Sequence, residues 1–294
     1  MLAIRSAGIY VDATFGRGGH SAAILDRLGP QGRLYAIDRD PQAVAAGRAT
    51  LGEDSRLHLR HGSFASLKSI LAQAGLTQLV DGILLDLGVS SPQLDDPARG
   101  FSFLRDGPVD MRMDPSAGTS AADWLASAGE REIADVIFRY GEERRARRVA
   151  RALVEARSSA PIRSTAQLAG IVAGALPAPR VGRHPATRVF QALRIHVNGE
   201  LEALEAALPQ CVDLLAGGGR LACISFHSLE DRIVKRYLRS RSQTDPRLAK
   251  LPSVPAAERP VLRLIGRGTR PSAAEIELNP RARSAVLRAA ERLT

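Results

Sequence analysis

A carboxylate and a glycine-rich turn stand together in residues 11–20, Val-Asp-Ala-Thr-Phe-Gly-Arg-Gly-Gly-His. A short apolar run precedes this stretch and a helical pattern follows it, which is the strand–turn–helix arrangement that open α/β sheets use to bind nucleotides. Gly18 and Gly19 have no Cβ, so the backbone there could lie against a ligand. A second apolar run ends in Asp38, whose carboxylate could accept hydrogen bonds from both hydroxyls of a ribose. These residues predict a ligand that contains a nucleoside.

The same residues disfavour a dinucleotide or a nucleoside triphosphate. The dinucleotide pattern would require glycine at position 21, which is Ser21, and no Gly-Lys-Ser/Thr ending marks a phosphate loop. Asp12, at the end of the first predicted strand, would repel a pyrophosphate and attract a cation. S-adenosylmethionine fits this preference, because it carries a ribose, an ammonium and a sulfonium but no phosphate. On these residues alone, a structural glycine turn in another α/β protein is the alternative.

Alternating strand and helix patterns place three acidic residues at one edge of a predicted sheet. Asp12, Asp38 and Asp86 each end an apolar run, and the run before Asp86, Gly-Ile-Leu-Leu, is typical of a strand buried on both faces. Pro41 is suited to the first turn of a helix that extends to about residue 49. Open α/β sheets bind ligands at the carboxyl ends of their parallel strands. The predicted fold class is therefore α/β, with the ligand at this edge.

The alternation stops after Asp86. Residues 87–115 have no helical or strand period, yet they include two phenylalanines and two methionines, so we expect an ordered loop over the ligand. From residue 119 to about 176 the pattern is helical throughout, and Ser120 with Asp123 is typical of a helix-capping box. This segment interrupts the strand–helix alternation, which indicates an inserted all-helical domain.

Strand patterns return in the last third of the chain. The glycines at 217–219 predict a tight turn into a strand over residues 220–225, after which His227 lies at the ligand-binding edge. Ser228 and Asp231 predict a capping box for the helix that follows. Two further strands are predicted to close the sheet as a terminal pair, at residues 261–265 and 284–289.

Basic residues outnumber acidic ones, with 41 Lys and Arg against 31 Asp and Glu and a formal net charge of +10. An arginine-rich proteome would also produce this excess, so the position of the arginines carries more weight than their total. Five arginines and no acid occupy residues 144–151, and a second basic stretch spans 180–194. A solvated helix face is the ordinary interpretation, but such clusters favour contact with RNA or DNA. The candidate RNA-binding residues are Arg144, Arg148 and Arg151, on one face of a predicted helix, and Arg183 and Arg188.

Composition excludes several other classes of protein. No apolar run approaches the length of a membrane span, and the first residues lack the basic and apolar regions of a signal peptide. Cys211 and Cys223 are too few for a disulfide framework, and no Cys/His cluster has the spacing of a zinc site. We expect a cytoplasmic protein with no metal site and no membrane partner.

Longer stretches of the sequence resemble one family. They are spread over nearly the whole chain, at residues 12–20, 36–42, 81–93 (DGILLDLGVSSPQ), 99–103, 106–114 (DGPVDMRMD), 184–201, 224–235 (ISFHSLEDRIVK) and 279–287. In these stretches the chain resembles the bacterial 16S ribosomal RNA cytosine-N4 methyltransferase family, of the RsmH or MraW type. Because the matches are long and numerous, the resemblance does not depend on one short motif.

The resemblance implies a fold, a methyl donor and a substrate. The fold would be a class I, Rossmann-like methyltransferase sheet with an inserted helical domain, and the donor S-adenosylmethionine. The substrate would be the N4 amine of one cytosine in the decoding region of 16S ribosomal RNA. The implied donor-binding residues are Gly18, Gly19, His20, Asp38, Phe64, Asp86 and Gln93, and Asp12 joins them by its place at the strand end. The predicted domains are residues 1–106 and 197–294 for the two parts of the methyltransferase domain, and 107–196 for an inserted substrate-recognition domain with its preceding loop.

One departure from the family pattern bears on function. The family normally has further residues before the first strand, including a His-x-Pro-Val-Leu-like segment. We expect this chain to lack that segment, since its first predicted strand begins close to Met1. If the segment shapes the site, the chain should bind the donor or react less well.

Methyl transfer to a cytosine amine requires close positioning and a group that receives the proton lost from N4. The lone pair of this amine is delocalised into the ring, so an acceptor for its N–H would make it more nucleophilic. The base must also be unstacked to reach the donor. The candidate catalytic residues are Asp86, Ser91 and His227, with Asp106 and Asp110 as further acids. A histidine that is only hydrogen-bonded at a strand end is the alternative for His227.

Three classes of function are compatible with the sequence. The first is the ribosomal RNA methyltransferase, acting on 16S RNA in the small ribosomal subunit. The second is a methyltransferase for DNA, protein or a small molecule, which the fold alone permits. The third is a non-catalytic or weakly active RNA-binding factor of ribosome assembly. The acidic edge argues against the third class, and the basic insert argues against a small-molecule substrate.

Overall fold

The computed structural model describes residues 1–177, 184–244, 247, 253, 255 and 259–294. The chain divides into two compact units. Residues Met1–Gly88 and Leu201–Thr294 form the sheet unit, and residues Val89–Glu200 form the helical unit. In the chain, the helical unit therefore interrupts the sheet unit. Its role as a substrate-recognition domain is a proposal.

The sheet unit contains seven strands in one mixed sheet. The strands are β1 (Ile9–Asp12), β2 (Arg33–Asp38), β3 (Leu57–His61), β4 (Val80–Asp86), β5 (Leu215–Ser225), β6 (Leu262–Thr269) and β7 (Val286–Arg292). Their order is β3-β2-β1-β4-β5-β7-β6, and only β7 runs antiparallel to its neighbours. The sheet is mixed and seven-stranded and belongs to an α/β fold, so the predicted α/β fold class is confirmed.

Helices and strands alternate along the sheet unit. In chain order the α-helices are α1 (Gly19–Leu25), α2 (Pro41–Leu51), α3 (Leu67–Gln73), α4 (Ser91–Asp95), α5 (Ala121–Ser127), α6 (Glu130–Gly141), α7 (Ala146–Ser159), α8 (Thr165–Ala175), α9 (Ala186–Asn198), α10 (Glu200–Leu214), α11 (Ser228–Ser242) and α12 (Ala273–Leu278). As predicted, α2 begins at Pro41, and the Asp40 side chain caps it by accepting the Gln42 N–H at 2.9 Å.

Both faces of the sheet are covered, which explains the continuous apolar runs in its central strands. In β2, Leu34 and Ala36 point to the face covered by α1 and α2, while Tyr35 and Ile37 point to the face covered by α3, α10 and α11. Successive residues of a strand point to opposite faces, so a strand packed on both sides must be apolar at every position. Ile83 in β4 is completely buried for the same reason.

The helical unit has its own core, formed by α5 to α9 and the chain that precedes them. Asn198, buried at the end of α9, holds that preceding chain with two hydrogen bonds. Its side-chain oxygen accepts the Met113 N–H at 2.8 Å, and its amide donates to the Met111 carbonyl at 2.7 Å. Met111 is fully buried and adopts a left-handed backbone conformation, with a φ of 62°.

The structure corrects two predictions of local structure. The stretch 87–115 was predicted to have no regular structure, but residues 91–95 form the short helix α4. Phe101 and Met113, two apolar residues of this stretch, are buried as expected for an ordered loop. The glycines at 217–219 do not form a tight turn. They belong to β5, where the pairing with β4 shifts register between Val80 and Gly82. Ser120 caps α5 as predicted, accepting the Asp123 N–H at 3.1 Å.

Two smaller observations complete the fold. Among the described residues, no helix combines the length and the apolar character needed to cross a membrane. Cys211 and Cys223 are both buried, and neither forms a disulfide. Burial raises the pKa of the Cys211 thiol to about 12, so this thiol is unreactive at neutral pH.

Candidate active site

Three carboxylates lie at one edge of the sheet. Asp12, Asp38 and Asp86 are the last residues of β1, β2 and β4, which are parallel neighbours. Thr14 connects two of them, because its N–H donates to Oδ1 of Asp12 at 3.2 Å and its hydroxyl accepts the Asp86 N–H at 2.7 Å. The turn after β1 thus fixes the spacing between the acids.

Asp12 is the most deeply buried of the three acids. Its side chain has no exposed surface, and its Oδ2 accepts a hydrogen bond from the Ser21 hydroxyl at 2.7 Å. Burial raises the pKa of the Asp12 carboxyl from 3.8 to about 6, and the hydrogen bonds from Ser21 and Thr14 oppose this rise only in part. At neutral pH, keeping the buried carboxylate ionised therefore costs free energy, and a cation bound nearby would reduce this cost.

Asp38 organises the backbone around it. Its Oδ2 accepts the Gly16 N–H at 2.6 Å, and its Oδ1 accepts the Asp40 N–H at 2.8 Å. Burial raises the pKa of Asp38, whereas these two N–H groups lower it. Each carboxylate oxygen has a further lone pair, so the group can still accept hydrogen bonds from two hydroxyls of a ligand.

Asp86 has one oxygen paired and one available. Its Oδ2 lies 3.3 Å from Nε2 of His20, the second residue of α1. Its Oδ1 is buried and has no hydrogen-bond partner among the described residues. The hydrogen bond to Asp86 raises the pKa of His20 despite partial burial of the imidazole. Because buried polar atoms are usually satisfied, Oδ1 is suited to accept an N–H from a ligand.

The two adjacent glycines of the turn have different structural roles. Gly18 adopts a left-handed conformation, with a φ of 76°, and a Cβ at this position would lie 2.7 Å from the Phe15 ring. A Cβ at Gly19 would meet nothing within 4 Å. Gly18 is thus required by the fold of the turn, whereas Gly19 leaves open space beside α1 that a ligand could occupy.

Two further donor-binding candidates lie in different units. Phe64 follows β3 in the sheet unit and is half-buried, and the neighbouring Gly62 N–H donates to the Asp38 carbonyl at 2.8 Å. Gln93 belongs to the helical unit, where it is buried and its side-chain oxygen accepts the Ser90 N–H at 2.9 Å. Ser91, a catalytic candidate, is the exposed first residue of α4 in the same unit.

His227 caps a helix. Its Nδ1 accepts the Glu230 N–H at 3.4 Å, and the Glu230 carboxylate accepts the Phe226 and His227 N–H groups at 2.8 and 3.3 Å. The predicted box of Ser228 and Asp231 is therefore wrong by one residue, because β5 ends at Ser225 and α11 begins at Ser228. Nε2 of His227 lies 3.1 Å from Oε1 of Glu230 but is buried and has no hydrogen-bond partner among the described residues, so only Nδ1 takes part in the cap. This arrangement favours the structural alternative for His227.

The candidate RNA-binding arginines among the described residues are exposed, but they do not all share one helix face. Arg144 lies in the turn before α7, so its predicted place on the helix is wrong. Arg148 and Arg151 are three residues apart on α7 and lie on the same side. Nε of Arg151 is 3.9 Å from a carboxylate oxygen of Glu130, an acid that the local sequence does not contain.

Arg188 lies beside the turn that precedes α7. It donates to the Glu142 carbonyl at 3.3 Å, and its Nη1 is 3.7 Å from a carboxylate oxygen of Glu143. The structure thus brings Arg188 close to the segment that carries Arg144. Arg183 lies outside the described residues.

The sequence as a whole matches one family. Residues 1–293 fit the model of the MraW methylase family. The chain belongs to this family. By family, this chain is a methyltransferase. The resemblance that the motifs indicated is confirmed.

Two curated relatives of this MraW-family chain bear the same name, ribosomal RNA small subunit methyltransferase H. One, from Thiobacillus denitrificans, is 62% identical over 99% of this chain and 93% of its own length. Another, from Chromohalobacter salexigens, is 59% identical over 97% of this chain and 86% of its own length. The alignments therefore include both the acidic edge and the helical unit.

Three residues of this MraW-family site were not identified from the sequence. Thr14 and Ser21 hold Asp12, and Glu230 holds the His227 loop. Thr14 stands two residues after an aspartate and Glu230 three residues after a capping residue, which are the spacings of an Asx turn and a capping box. Ser21 had no local signal, because only the tertiary fold turns it toward β1.

Proposed function

We propose that this chain transfers a methyl group from S-adenosylmethionine to the N4 amine of a cytosine in the decoding region of 16S ribosomal RNA. The identity of 62% with a relative named as a ribosomal RNA small subunit methyltransferase carries this proposal. We further propose that the substrate is presented by the small ribosomal subunit. The helical unit, with Arg144, Arg148, Arg151 and Arg188, would contact the RNA backbone.

The acidic edge of the sheet suits the proposed donor. S-adenosylmethionine supplies a methyl group on a positively charged sulfur, together with an ammonium and a ribose. Asp38, with free lone pairs on both oxygens, would accept the ribose hydroxyls. Asp12 and Asp86 would provide negative charge for the cationic part, and Gly19 would let it approach the backbone. Phe64, His20 and Gly18 complete the proposed donor site on the sheet unit. Gln93, in the helical unit, stays a donor-binding prediction.

Asp86 is the group we propose for orienting the target amine. Its Oδ1 is buried, unpaired among the described residues and located at the strand end, so it can accept an N–H from N4. Accepting that N–H would localise electron density on nitrogen and direct its lone pair at the methyl carbon. Ser91 is a second candidate for this contact. His227 is the third candidate, and we assign it to the helix cap because its Nδ1 accepts the Glu230 N–H, although its Nε2 has no hydrogen-bond partner among the described residues.

The proposal is tested by incubating the protein with methyl-labelled donor and one of three substrates: 30S subunits, naked 16S RNA, or DNA. The labelled nucleotide is then identified by nuclease digestion and mass spectrometry. Asp38→Asn serves as the donor-site variant, and Asp213→Asn, which removes an exposed carboxylate 2.8 Å from Lys68, serves as the matched control. We expect N4-methylcytidine at one decoding-region position with the wild type and the control only.

Each other outcome contradicts a defined part of the proposal. Label in DNA alone would overturn the RNA substrate. Label at a carbon or at another base would overturn the N4 chemistry. RNA binding without any transfer would favour the assembly-factor alternative. Equal labelling by Asp38→Asn at low donor concentration would refute the assigned donor site.

A further inference from the structure

The sheet unit has a cavity that is separate from the acidic edge residues. It has a volume of about 410 Å³ and lies among α11, β6 and β7. Its floor is apolar, formed by Leu238, Leu264, Ile265, Val286 and Ala289. None of Asp12, Asp38 and Asp86 lines it. We call it the basic pocket, because five cations line it: Arg288, which is paired with Asp231, and Lys235, Arg239, Arg267 and Arg270.

A bulge in β6 opens the basic pocket. Ile265 pairs with Ala289 and Thr269 pairs with Leu287, so four steps along β6 correspond to two along β7. The two extra residues push the strand out of the regular ladder. Gly266 adopts the left-handed conformation that this requires, with a φ of 69°.

The charges of the basic pocket are nearly all positive. Lys235 and Arg239 are four residues apart on α11, and Arg267 and Arg270 come from the bulge and the end of β6. All four are exposed, and no ion pair of theirs occurs in the described part of the chain. The cavity contains one acid, Asp231.

That acid is neutralised within the pocket wall. Asp231 accepts two hydrogen bonds from the guanidinium of Arg288, at 2.7 and 3.0 Å. Gly268 allows this guanidinium to lie against β6, since a Cβ at 268 would be 3.1 Å from it. A bidentate pair of this kind holds both side chains in place. The pocket therefore presents, over a fixed wall, four cations that form no ion pair with any described residue, which is an arrangement that attracts a polyanion.

One end of the basic pocket, at Val286, lies at the same edge of the sheet as the acidic residues. Val286, in its floor, pairs with Ser225, the last residue of β5, and β4 ends beside β5 at Asp86. A strand that lies at the carboxyl ends of β4 and β5 would therefore pass the target position and the pocket in turn. Several unpaired cations at such an edge fit the repeated phosphates of a nucleic-acid backbone better than a single small anion.

We propose that the basic pocket binds the phosphate backbone of the substrate RNA next to the target nucleotide. This inference rests on the proposed function for the identity of the RNA. The pocket adds a contact on the sheet unit itself, apart from the arginines of the helical unit. Its cations position the strand and carry no base specificity.

The test compares two double variants that each remove two exposed arginines. Arg267→Ala/Arg270→Ala changes the pocket, and Arg27→Ala/Arg48→Ala is the matched control, whose arginines are exposed and line no part of the pocket. Binding of a 16S RNA fragment containing the decoding region is measured by fluorescence anisotropy, without donor, at several KCl concentrations. Donor affinity and Tm are measured for both variants to check that the fold is intact.

Each phosphate contact with a single strand contributes about 0.7 to the slope of log Kd against log salt. Loss of two contacts should therefore reduce the slope by about 1.4 and weaken binding about 25-fold at 0.1 M salt. The control should keep the wild-type slope and Kd. In turnover, the pocket variant should show a raised KM for RNA with kcat unchanged.

The inference is overturned if the pocket variant and the control bind the RNA with equal slopes, or if the wild type does not bind this RNA at all. The outcome is independent of the proposed reaction. A wild type that binds the RNA but transfers no methyl group would refute the proposed function, while the difference in slope would still decide whether the pocket holds the backbone.

Discussion

Replacing Asp12 by asparagine should stabilise the folded protein at neutral pH while weakening its hold on the donor. Asp12 is completely buried, and burial raises the pKa of its carboxyl from 3.8 to about 6. This difference corresponds to a cost of about 3 kcal/mol for keeping the group ionised in the folded state at pH 7. Asparagine has nearly the same shape and no charge, so it removes that cost.

The hydrogen bonds of Asp12 can survive the change. The asparagine oxygen can accept the Thr14 N–H, and the asparagine NH₂ can donate to the Ser21 hydroxyl, which then acts as an acceptor. The expected gain in the free energy of unfolding at pH 7 is therefore about 3 kcal/mol. Donor affinity should fall about tenfold or more, because a cation near position 12 loses its opposite charge.

The sign of the pH dependence separates this explanation from others. Because the folded-state pKa of Asp12 is higher than the unfolded value, the folded protein keeps the proton longer as the pH rises. The contribution of Asp12 to wild-type stability is therefore greatest below 3.8 and falls as the pH rises to about 6. Asp12→Asn has no carboxyl at this position and does not lose this stability. The difference in the free energy of unfolding between the variant and the wild type should therefore grow as the pH rises from 3.8 to about 6.

The assay is urea unfolding of the donor-free protein, followed by circular dichroism between pH 4 and pH 7.5. Asp213→Asn is the control, since its exposed carboxylate should change stability by less than about 0.5 kcal/mol at any pH. Donor binding is measured by calorimetry at pH 7. A stability difference between Asp12→Asn and the wild type that stays constant over this pH range would refute the reasoning.

Asp86→Asn should lower kcat about 100-fold at saturating donor, because an amide is a much weaker proton acceptor; full turnover with unchanged donor affinity would contradict the role of Asp86. The same variant should lower the pKa of His20, measured by NMR, since the hydrogen bond to Asp86 raises it. His227→Asn should keep the stability of α11 and the turnover, because asparagine is a good N-cap; lost turnover at unchanged Tm would make His227 catalytic. Gly18→Ala should cost about 1–3 kcal/mol in thermal unfolding, whereas Gly19→Ala should unfold like the wild type but bind the donor more weakly.

Local sequence signals were sufficient for the parts of the fold that depend on neighbouring residues. Pro41 begins α2 and Ser120 caps α5 as predicted, because such signals involve only a side chain and backbone groups within three residues. The cap of α11 shows the limit of this approach. The sequence allows two capping boxes one residue apart, Ser228 with Asp231 and His227 with Glu230. His227 is the N-cap because of where β5 stops pairing with β7.

Charge clusters were the least predictable feature. The run at 144–151 contains no acid, yet Arg151 faces Glu130 from another helix, and Arg144 precedes α7. The basic pocket had no comparable signal, because Lys235 and Arg267 are far apart in sequence and a register shift of β6 brings them to one cavity. Sequence composition can indicate that a polyanion binds, but packing decides where.

The sequence by itself determined the acidic edge. Asp12, Asp38 and Asp86 each end an apolar run that forms a strand. Because parallel strands share a direction, the three acids must lie at one edge of the sheet, whatever the details of packing. Only the tertiary structure decided what each acid can do. Asp12 is buried against Ser21, Asp38 is committed to the backbone, and Asp86 keeps an oxygen available, because burial and long-range hydrogen bonds set the charge and the free lone pairs of each carboxylate.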